Sequence, residues 1–305
     1  MDFSELELRL KKTRPIKKED FEPFLLFLDN KEARNLSSDF LMITTKGDTI
    51  RENDFLEFLK DNIIFYVLNY DEYKKQMKGK QEDFIRHTVE SYHRAKSKFQ
   101  KKSRNTGEVG ELLLYLLLES QGISKIVSKM SLKTSSDMPV FGSDAVHLEI
   151  EGDKLIIHYG ESKMRRSFSK SLDEAISSIE TFENENKELD EINIIATNID
   201  KARFGKFSNE LKKILNPYTK DQTNLYHTHS VLLCYDWSVV KNLNNKTGHS
   251  LKDYLISEYR KKEVEYFSKI ENKIKSKILK DKKFRFFIIP FKDEKAFSIR
   301  FNEGI

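Results

Sequence analysis

Cysteine is nearly absent from this sequence, since Cys234 is the single copy among 305 residues. One thiol cannot form a disulfide within the chain, and it cannot supply a cysteine-based zinc site. Cys234 ends the apolar run 231–234, where a buried structural thiol is expected rather than a reactive one. The sequence therefore predicts neither a disulfide-stabilised fold nor cysteine-based catalysis.

Long hydrophobic runs are also missing. No stretch approaches the roughly 18 apolar residues needed to cross a bilayer, and the opening residues MDFSE lack a basic-then-apolar signal. Glycine and proline are scarce, and 38% hydrophobic with 34% charged residues is typical of a folded, highly charged protein. The net charge of +5 permits a polyanionic partner without requiring one. We expect a cytoplasmic protein that does not bind membranes.

A basic run without acidic residues, RAKSKFQKKSR at 94–104, marks the predicted boundary between two regions. Region 1–100 should contain a strand at 40–44, a helical pattern over 55–66 and a helix at 81–100. Region 101–305 is predicted to contain helices at 106–119, 171–185 and 250–280, a hairpin at 144–163, and strands at 191–197, 229–235 and 284–290. This order predicts an α/β fold in which helices flank a mixed sheet, with residues 1–100 as an α/β accessory region.

A two-residue turn connects the strand-like runs AVHLEI and KLIIHY. Gly152 and Asp153 at its centre are typical of a tight β-hairpin in which Glu151 pairs with Lys154. One face of the hairpin then consists of apolar pairs: Ile150 with Leu155, Leu148 with Ile157, and Val146 with Tyr159. The other face pairs Glu149 with Ile156 and His147 with His158, so we expect it to be less buried.

Ionisable residues collect at the open end of this hairpin. Two residues further, the same register places Asp144 opposite Glu161, and Lys163 follows on that side because strand side chains alternate. Facing carboxylates repel each other unless a cation lies between them, and oxygen ligands suit Mg²⁺ or its substitute Mn²⁺. A nearby lysine can orient water and balance phosphate charge. The pattern predicts phosphodiester hydrolysis, although Glu-x-Lys alone would indicate only a solvated strand end.

Two further carboxylates lie at the start of the predicted helix GEVGELLLYLLLE, at 107–119. Residues 112–118 are apolar on every side, so this helix should be buried. Glu108 and Glu111 are three residues apart and share one helical face. A carboxylate next to so apolar a segment needs a cation or hydrogen-bond donors, and the alternative is that it complements the helix dipole.

The order of these motifs resembles the PD-(D/E)xK nuclease superfamily: Gly-x-x-x-Glu on a helix, Ser-Asp heading a strand, then Gly-Glu-Ser-Lys ending the next. Ser143 stands where the motif that names the superfamily has proline. More narrowly, GEVGELLLYLLLE, GSDAVHLEI and IIHYGESKMRRSFSKSLDEA resemble the HamA-type nuclease subunit of the Hachiman anti-phage defence system, most clearly over residues 95–200.

The resemblance implies a restriction-endonuclease-like fold and a Mg²⁺-dependent deoxyribonuclease. Its catalytic residues would be Glu111, Asp144, Glu161 and Lys163. The three carboxylates would be the metal ligands, with Glu108 as an alternative or supporting helix carboxylate. Asp137 is a rival for the aspartate role, but it precedes the paired position by seven residues. The resemblance further implies a HamB-type helicase subunit as partner, and region 1–100, which lacks matches to the catalytic motif, is the expected docking region.

Basic residues follow the Glu-x-Lys strand at once, before a helix with the capping pattern Ser171-x-x-Glu174. Because a helix start favours anions, we expect Arg165, Arg166 and Lys170 to contact the DNA backbone without reading its sequence. The basic segments 94–104 and 260–285 could do the same, but charged helical runs are more often solvated faces. His227 and His229 lack a third ligand at a recognisable spacing and are expected to be structural.

Three functions fit the sequence. The first is a metal-dependent DNA nuclease that acts in anti-phage defence with a helicase. A structure-specific repair or recombination nuclease would share its fold and site. A non-catalytic DNA-binding regulatory subunit would keep only the fold, but a purely structural sheet has no need of two facing carboxylates.

Overall fold

A mixed seven-stranded sheet lies at the centre of the protein, in a computed structural model that describes residues 1–74, 81–99, 107–132, 143–216, 218, 224–241, 243 and 249–304. The strands, in their order across the sheet, are β1 (Leu25–Ala33), β2 (Leu36–Ile43), β9 (Lys283–Phe291), β8 (Leu225–Asp236), β7 (Lys154–Arg165), β6 (Ala145–Glu151) and β5 (Ser124–Lys125). The central four, from β2 to β7, are parallel, and the outer pairings are antiparallel. Short strands β3 (Thr45–Lys46) and β4 (Thr49–Ile50) pair separately. The predicted α/β class with a mixed sheet is confirmed.

Helices cover both faces of the sheet. Those of the first 132 residues are α1 (Phe3–Thr13), α2 (Lys18–Phe21), α3 (Glu52–Asp61), α4 (Ile63–Val67), α5 (Tyr70–Lys74), α6 (Gln81–Lys96), α7 (Gly107–Ser120) and α8 (Lys129–Leu132). Those that follow the hairpin are α9 (Phe168–Asn184), α10 (Lys187–Asn198), α11 (Lys201–Phe204), α12 (Ser208–Leu215), α13 (Ser238–Lys241), α14 (His249–Lys273) and α15 (Glu294–Gly304). None of the helices in the described ranges is long and apolar enough to cross a membrane.

Two layers of helices enclose the sheet. One face packs against α3, α4, α7 and α15, where the leucines of α7 are fully buried as their all-round apolar pattern predicts. The other face packs against α9 and α14, and against α1, α10 and α12 beside the hairpin. Cys234 is buried in β8, so the prediction of a structural thiol is confirmed.

The hairpin has the predicted register. Glu151 pairs with Lys154, and the ladder continues to Ala145 opposite Gly160. Gly152 has φ of +62°, which the tight turn requires and which glycine adopts without a steric cost. The apolar face packs into the core that α1, α10 and α12 share. A local turn signal thus fixed the pairing of two complete strands.

The opposite face of the hairpin is more buried than expected. His147 and His158 are 1% and 2% exposed, because α7 covers this face and Tyr115 lies 5.7 Å from the His147 ring. His158 is held by Ser230 and Glu149, whereas neither ring nitrogen of His147 has a hydrogen-bond partner in the part of the chain described. The expectation of a less buried face was therefore wrong for both histidines.

Acidification below about pH 6.5 should destabilise the fold through these histidines. Burial, reinforced by the positive groups His158, Arg203 and Lys125, lowers the pKa of His147 well below the ordinary value of 6.5. Burial also lowers the pKa of His158, against the opposing effect of Glu149. Below 6.5, the pKa that both histidines have in the unfolded chain, the unfolded chain therefore binds more protons than the folded one. The free energy of unfolding should fall by up to about 1.4 kcal/mol per pH unit for each histidine.

Urea unfolding between about pH 7.5 and about pH 5.5 measures this dependence. The variant His147→Leu retains an apolar side chain but removes one titrating ring. It should lose less stability on acidification than the wild type. An unchanged pH dependence in His147→Leu would show that this ring does not contribute.

The segment predicted as a strand at 191–197 is instead helical, within α10. Its buried side chains, Glu191, Ile192 and Ile195, are spaced three and four apart, as on one side of a helix. β8 occupies the position beside β7, so no edge there is left for this segment. The spacing of the isoleucines in this segment fits both a strand and a helix, and packing against the rest of the chain determines that it is a helix. The helix predicted to reach residue 280 also ends earlier, at Lys273.

Glycine at position 160 allows α7 to approach the hairpin closely. A Cβ atom at Gly160 would lie 2.7 Å from the Cβ of Ala145 and 3.0 Å from Cδ2 of Leu114. A Cβ atom at Gly110 of α7 would lie 3.1 Å from Oγ of Ser162. Side chains at either glycine would push the helix away from the strand. This contact brings the acidic start of α7 to the open end of the hairpin.

Strands from the first hundred residues belong to the same sheet as the rest of the chain. β2 runs parallel to β9, and Leu36 to Phe40 pair with Phe284 to Ile288. The division into an accessory region of residues 1–100 and a nuclease domain of residues 101–305 remains a prediction.

Candidate active site

Asp144 lies immediately before β6 and extends the ladder by means of its side chain. Its main-chain N–H donates to the carbonyl of Gly160 at 2.8 Å. Its Oδ2 accepts from the Ser162 N–H at 2.8 Å and from the Ser162 hydroxyl at 3.2 Å. The carboxylate thus accepts the hydrogen bond from the Ser162 N–H that a main-chain carbonyl would accept if β6 were longer. These bonds hold it at the end of the hairpin.

Glu161 and Lys163 form an ion pair on the neighbouring strand. Burial raises the pKa of Glu161 to about 7, and the negative charge of Asp144 adds to this, against the effect of Lys163. Burial also raises the pKa of Asp144. For Lys163, burial alone would lower the pKa, but attraction to Glu161 and Asp144 outweighs it and raises the pKa. The predicted convergence of two carboxylates and one lysine is present.

The two carboxylates of α7 approach the same place from the opposite layer. The hydroxyl of Tyr66, on α4, donates to Oε2 of Glu111 at 2.9 Å. Burial raises the pKa of Tyr66 well above its ordinary value, and the negative charges of Glu111, Asp144 and Glu108 act in the same direction. All three carboxylates therefore lie near one hydroxyl. Glu108 is buried and Glu111 is partly exposed, so either remains a candidate for the helix carboxylate.

The donor chemistry of this cluster fits a divalent cation. Asp144 and Glu161 are partly buried carboxylates whose proximity makes simultaneous ionisation costly, and a bound cation would remove that cost. Hard oxygen donors of this kind suit Mg²⁺ or Mn²⁺. Within the described ranges, no group of three or more His, Cys, Asp or Glu side chains is arranged to hold a metal ion. A role for Glu111 as third ligand therefore stays a prediction.

A cleft of about 360 Å³ opens beside the two carboxylates. Its polar lining combines Asp144, Glu161 and Lys163 with three hydroxyl side chains of α9 and with two basic side chains: Ser177, Ser178, Thr181, Lys187 and His229. Hydroxyls and cations are the groups that proteins use to contact a sugar–phosphate backbone.

The three basic residues predicted to bind DNA have different surroundings. Arg165 is ion-paired with Glu174, with Nε 2.5 Å from Oε2, and it also donates to the carbonyl of Met164. Lys170 lies 4.0 Å from Glu174, while Arg166 is exposed. Arg165 would have to leave its carboxylate to contact phosphate, so Arg166 and Lys170 are the more accessible pair. Contact of all three with DNA stays a prediction.

Sequence reasoning missed a buried ion pair behind Asp144, formed by Lys129 of α8 and Glu191 of α10. The carboxylate of Glu191 also accepts hydrogen bonds from Ser143. Glu191 was not predicted to lie near Asp144, because its segment was predicted to be a strand. The one signal in the sequence was Ser143 itself, at a position where the motif has proline. The rival Asp137 lies outside the residues that the structure describes.

His227 and His229 lie on β8 beside the cleft and have carboxylate partners. His229 contacts Glu183 at 2.7 Å, and His227 lies 3.3 Å from Glu188. The ring of His227 also stacks on Tyr159. These contacts hold both rings in place, and a structural role for the two histidines stays a prediction.

A sequence model of the HamA family matches residues 19–305. No curated protein matches the chain.

Proposed function

The chain belongs to the HamA family of the Hachiman defence system, and we propose that it is a metal-dependent DNA nuclease in that system. The observation that carries the proposal is the meeting of Asp144, Glu161 and Lys163 at the open end of one hairpin. Two partly buried carboxylates that lie close together cost stability even with a lysine beside them, and a sheet that served only as a scaffold would not need them.

Each side chain has a separate role in the proposed hydrolysis of a phosphodiester. Asp144 and Glu161 would hold a divalent cation, and the bonds from Ser162 keep Asp144 in place for it. When bound, Mg²⁺ supplies charge stabilisation to the phosphate and makes water more acidic. Lys163 places a positive charge next to Glu161, where it can balance charge on a phosphate oxygen and orient the attacking water. A water oxygen would bond to phosphorus as the bond from phosphorus to the leaving sugar oxygen breaks, and that oxygen would take up a proton as the attacking water loses one.

We further propose a HamB-type helicase subunit as partner and a cytoplasmic location, where phage DNA is present. The family places the chain in a system with a partner. Residues 1–100 stay the predicted docking region. A helicase partner that holds the nuclease in check would explain how a cell tolerates an enzyme whose backbone contacts do not read sequence. Co-purification of the helicase subunit with the full-length chain tests the partnership.

Incubation of supercoiled plasmid with the purified chain tests the function, alone and with the co-expressed helicase subunit. We expect nicked or linear products when Mg²⁺ or Mn²⁺ is present, and intact plasmid when EDTA replaces the metal. Cleavage by the complex alone also supports the proposal, because a partner can control access to the site. DNA binding without cleavage in every condition would instead identify a non-catalytic DNA-binding subunit. Cleavage confined to branched or damaged DNA would favour a repair nuclease.

A further inference from the structure

Resting on the nuclease function proposed above, we propose that the buried pair of Lys129 and Glu191 positions Asp144 by holding the main chain of Ser143 on both sides. Neither residue lines the cleft, so both would act through Asp144. They come from helices on either side of the hairpin in sequence, α8 and α10.

Glu191 binds the amino side of Ser143. A single oxygen, Oε1, accepts from the main-chain N–H of Ser143 at 2.5 Å and from its hydroxyl at 2.9 Å. The side chain of Glu191 is fully buried. A carboxylate in this setting makes charge-assisted bonds, which are stronger than those between neutral groups.

Lys129 binds the carboxyl side of the same residue. Its Nζ donates to the carbonyl of Ser143 at 2.7 Å and contacts Oε1 of Glu191 at 2.5 Å. The hydroxyl of Ser143 also lies 3.0 Å from the carbonyl of Ala145, so its single proton has two alternative acceptors, this carbonyl and Glu191. The N–H, carbonyl and hydroxyl of Ser143 are therefore all engaged. The next residue in the chain is Asp144.

This arrangement explains why serine can stand at position 143. Proline has no N–H, so it could not donate to Glu191, and it has no hydroxyl. Proline limits its own φ angle through its ring. At position 143, side chains from α8 and α10 instead restrict a serine whose φ angle is not limited by a ring. Serine at position 143 and the buried ion pair therefore act together to hold this part of the main chain.

Stability alone is a weak reason to retain such a pair. Desolvation of two buried charges often cancels their attraction, and apolar replacements of similar volume are often as stable. The positioning of Asp144 is a better reason to retain the pair, because an error of about 1 Å at a reacting group can cost about 10²-fold in rate. Lys129 is also close enough to Asp144 for their charges to interact.

The double variant Lys129→Met/Glu191→Leu tests the proposal in the full-length chain. A matched control is Arg203→Met/Glu119→Leu. Glu119 also pairs with a buried cation and accepts a main-chain N–H, that of Lys125 at 2.7 Å, but it does not adjoin Asp144. Each double variant removes one buried ion pair and one acceptor for a main-chain N–H, so both should lose stability in urea.

Three measurements separate positioning from support of the fold: the rate of plasmid cleavage, the affinity for Mn²⁺, and hydrogen exchange over residues 143–146. Below the unfolding temperature of each protein, Lys129→Met/Glu191→Leu should lose about 10- to 100-fold in Mn²⁺ affinity or cleavage rate. Its residues 143–146 should exchange faster. The control should keep wild-type values in all three.

Equal losses in both double variants would overturn the proposal, as would wild-type cleavage and Mn²⁺ binding by Lys129→Met/Glu191→Leu. If the wild type neither cleaves DNA nor binds Mn²⁺, both alone and with the co-expressed helicase subunit, the nuclease function fails instead, and hydrogen exchange still decides whether the pair holds residues 143–146. If the double variant does not fold, Glu191→Gln retains the volume, removes the charge and is measured in the same way. Wild-type values in Glu191→Gln would then overturn the proposal.

Discussion

Glu161→Gln is expected to lower the rate of DNA cleavage by at least about 10³-fold. Glutamine keeps the volume of the side chain but removes the negative charge that would hold the divalent cation with Asp144. Metal ions contribute several kcal/mol to transition-state stabilisation, and about 1.4 kcal/mol corresponds to a factor of ten in rate. Single-turnover cleavage of plasmid at saturating Mg²⁺ measures the loss, in whichever form of the protein is active.

The matched control is Glu149→Gln, on the same hairpin. Glu149 is a partly buried carboxylate that binds His158 and does not line the cleft. It should retain cleavage close to that of the wild type, even if some stability is lost. Comparable activity of Glu161→Gln and the wild type would exclude Glu161 from the catalytic centre. Equal losses in both variants would indicate damage to the hairpin rather than to the site.

Arg203→Met is expected to cost about 3–5 kcal/mol of the free energy of unfolding, the largest stability effect that we predict. The guanidinium of Arg203 binds both oxygens of Glu119, with Nη2 2.7 Å from Oε2, and both side chains are essentially inaccessible to solvent. Methionine would fill much of the same space but leave the carboxylate of Glu119 without its principal cation. Urea unfolding at neutral pH measures the change.

The double variant with Glu119→Leu should recover part of that loss, because the carboxylate left behind causes most of the cost. Recovery is expected to be incomplete, since the N–H of Lys125 loses its acceptor. If the single and double variants were equally unstable, packing around Arg203 would matter more than its charge. A single variant as stable as the wild type would contradict the prediction.

Local signals allowed the hairpin of the candidate site to be predicted in detail. Two turn residues determine the pairing of every residue in a hairpin, and the alternation of strand side chains then places Asp144, Glu161 and Lys163 together. The apolar helix α7 was equally clear, because leucine on every side excludes an exposed position. Both inferences needed only neighbouring residues.

Contacts between distant segments were not accessible in the same way. Lys129 and Glu191 are far apart in sequence, and a charged residue in an apolar segment gives no sign of its partner. The segment around Glu191 fits a strand as well as a helix, so the wrong period placed that carboxylate in the sheet. The burial of His147 likewise depends on where α7 packs, which no pattern within the hairpin determines.

The parallel pairing of β2 with β9 limits how the chain can be divided. Cutting after residue 100 would remove two strands of the seven-stranded sheet, β1 and β2, and leave the main-chain groups of β9 exposed along a new edge, which favours aggregation. The first hundred residues therefore contribute strands to the same sheet as the rest of the chain. A partner that binds the first hundred residues therefore contacts the same hydrogen-bonded sheet that carries Glu161. Within that sheet, only β8 lies between β9 and β7, the strand of Glu161.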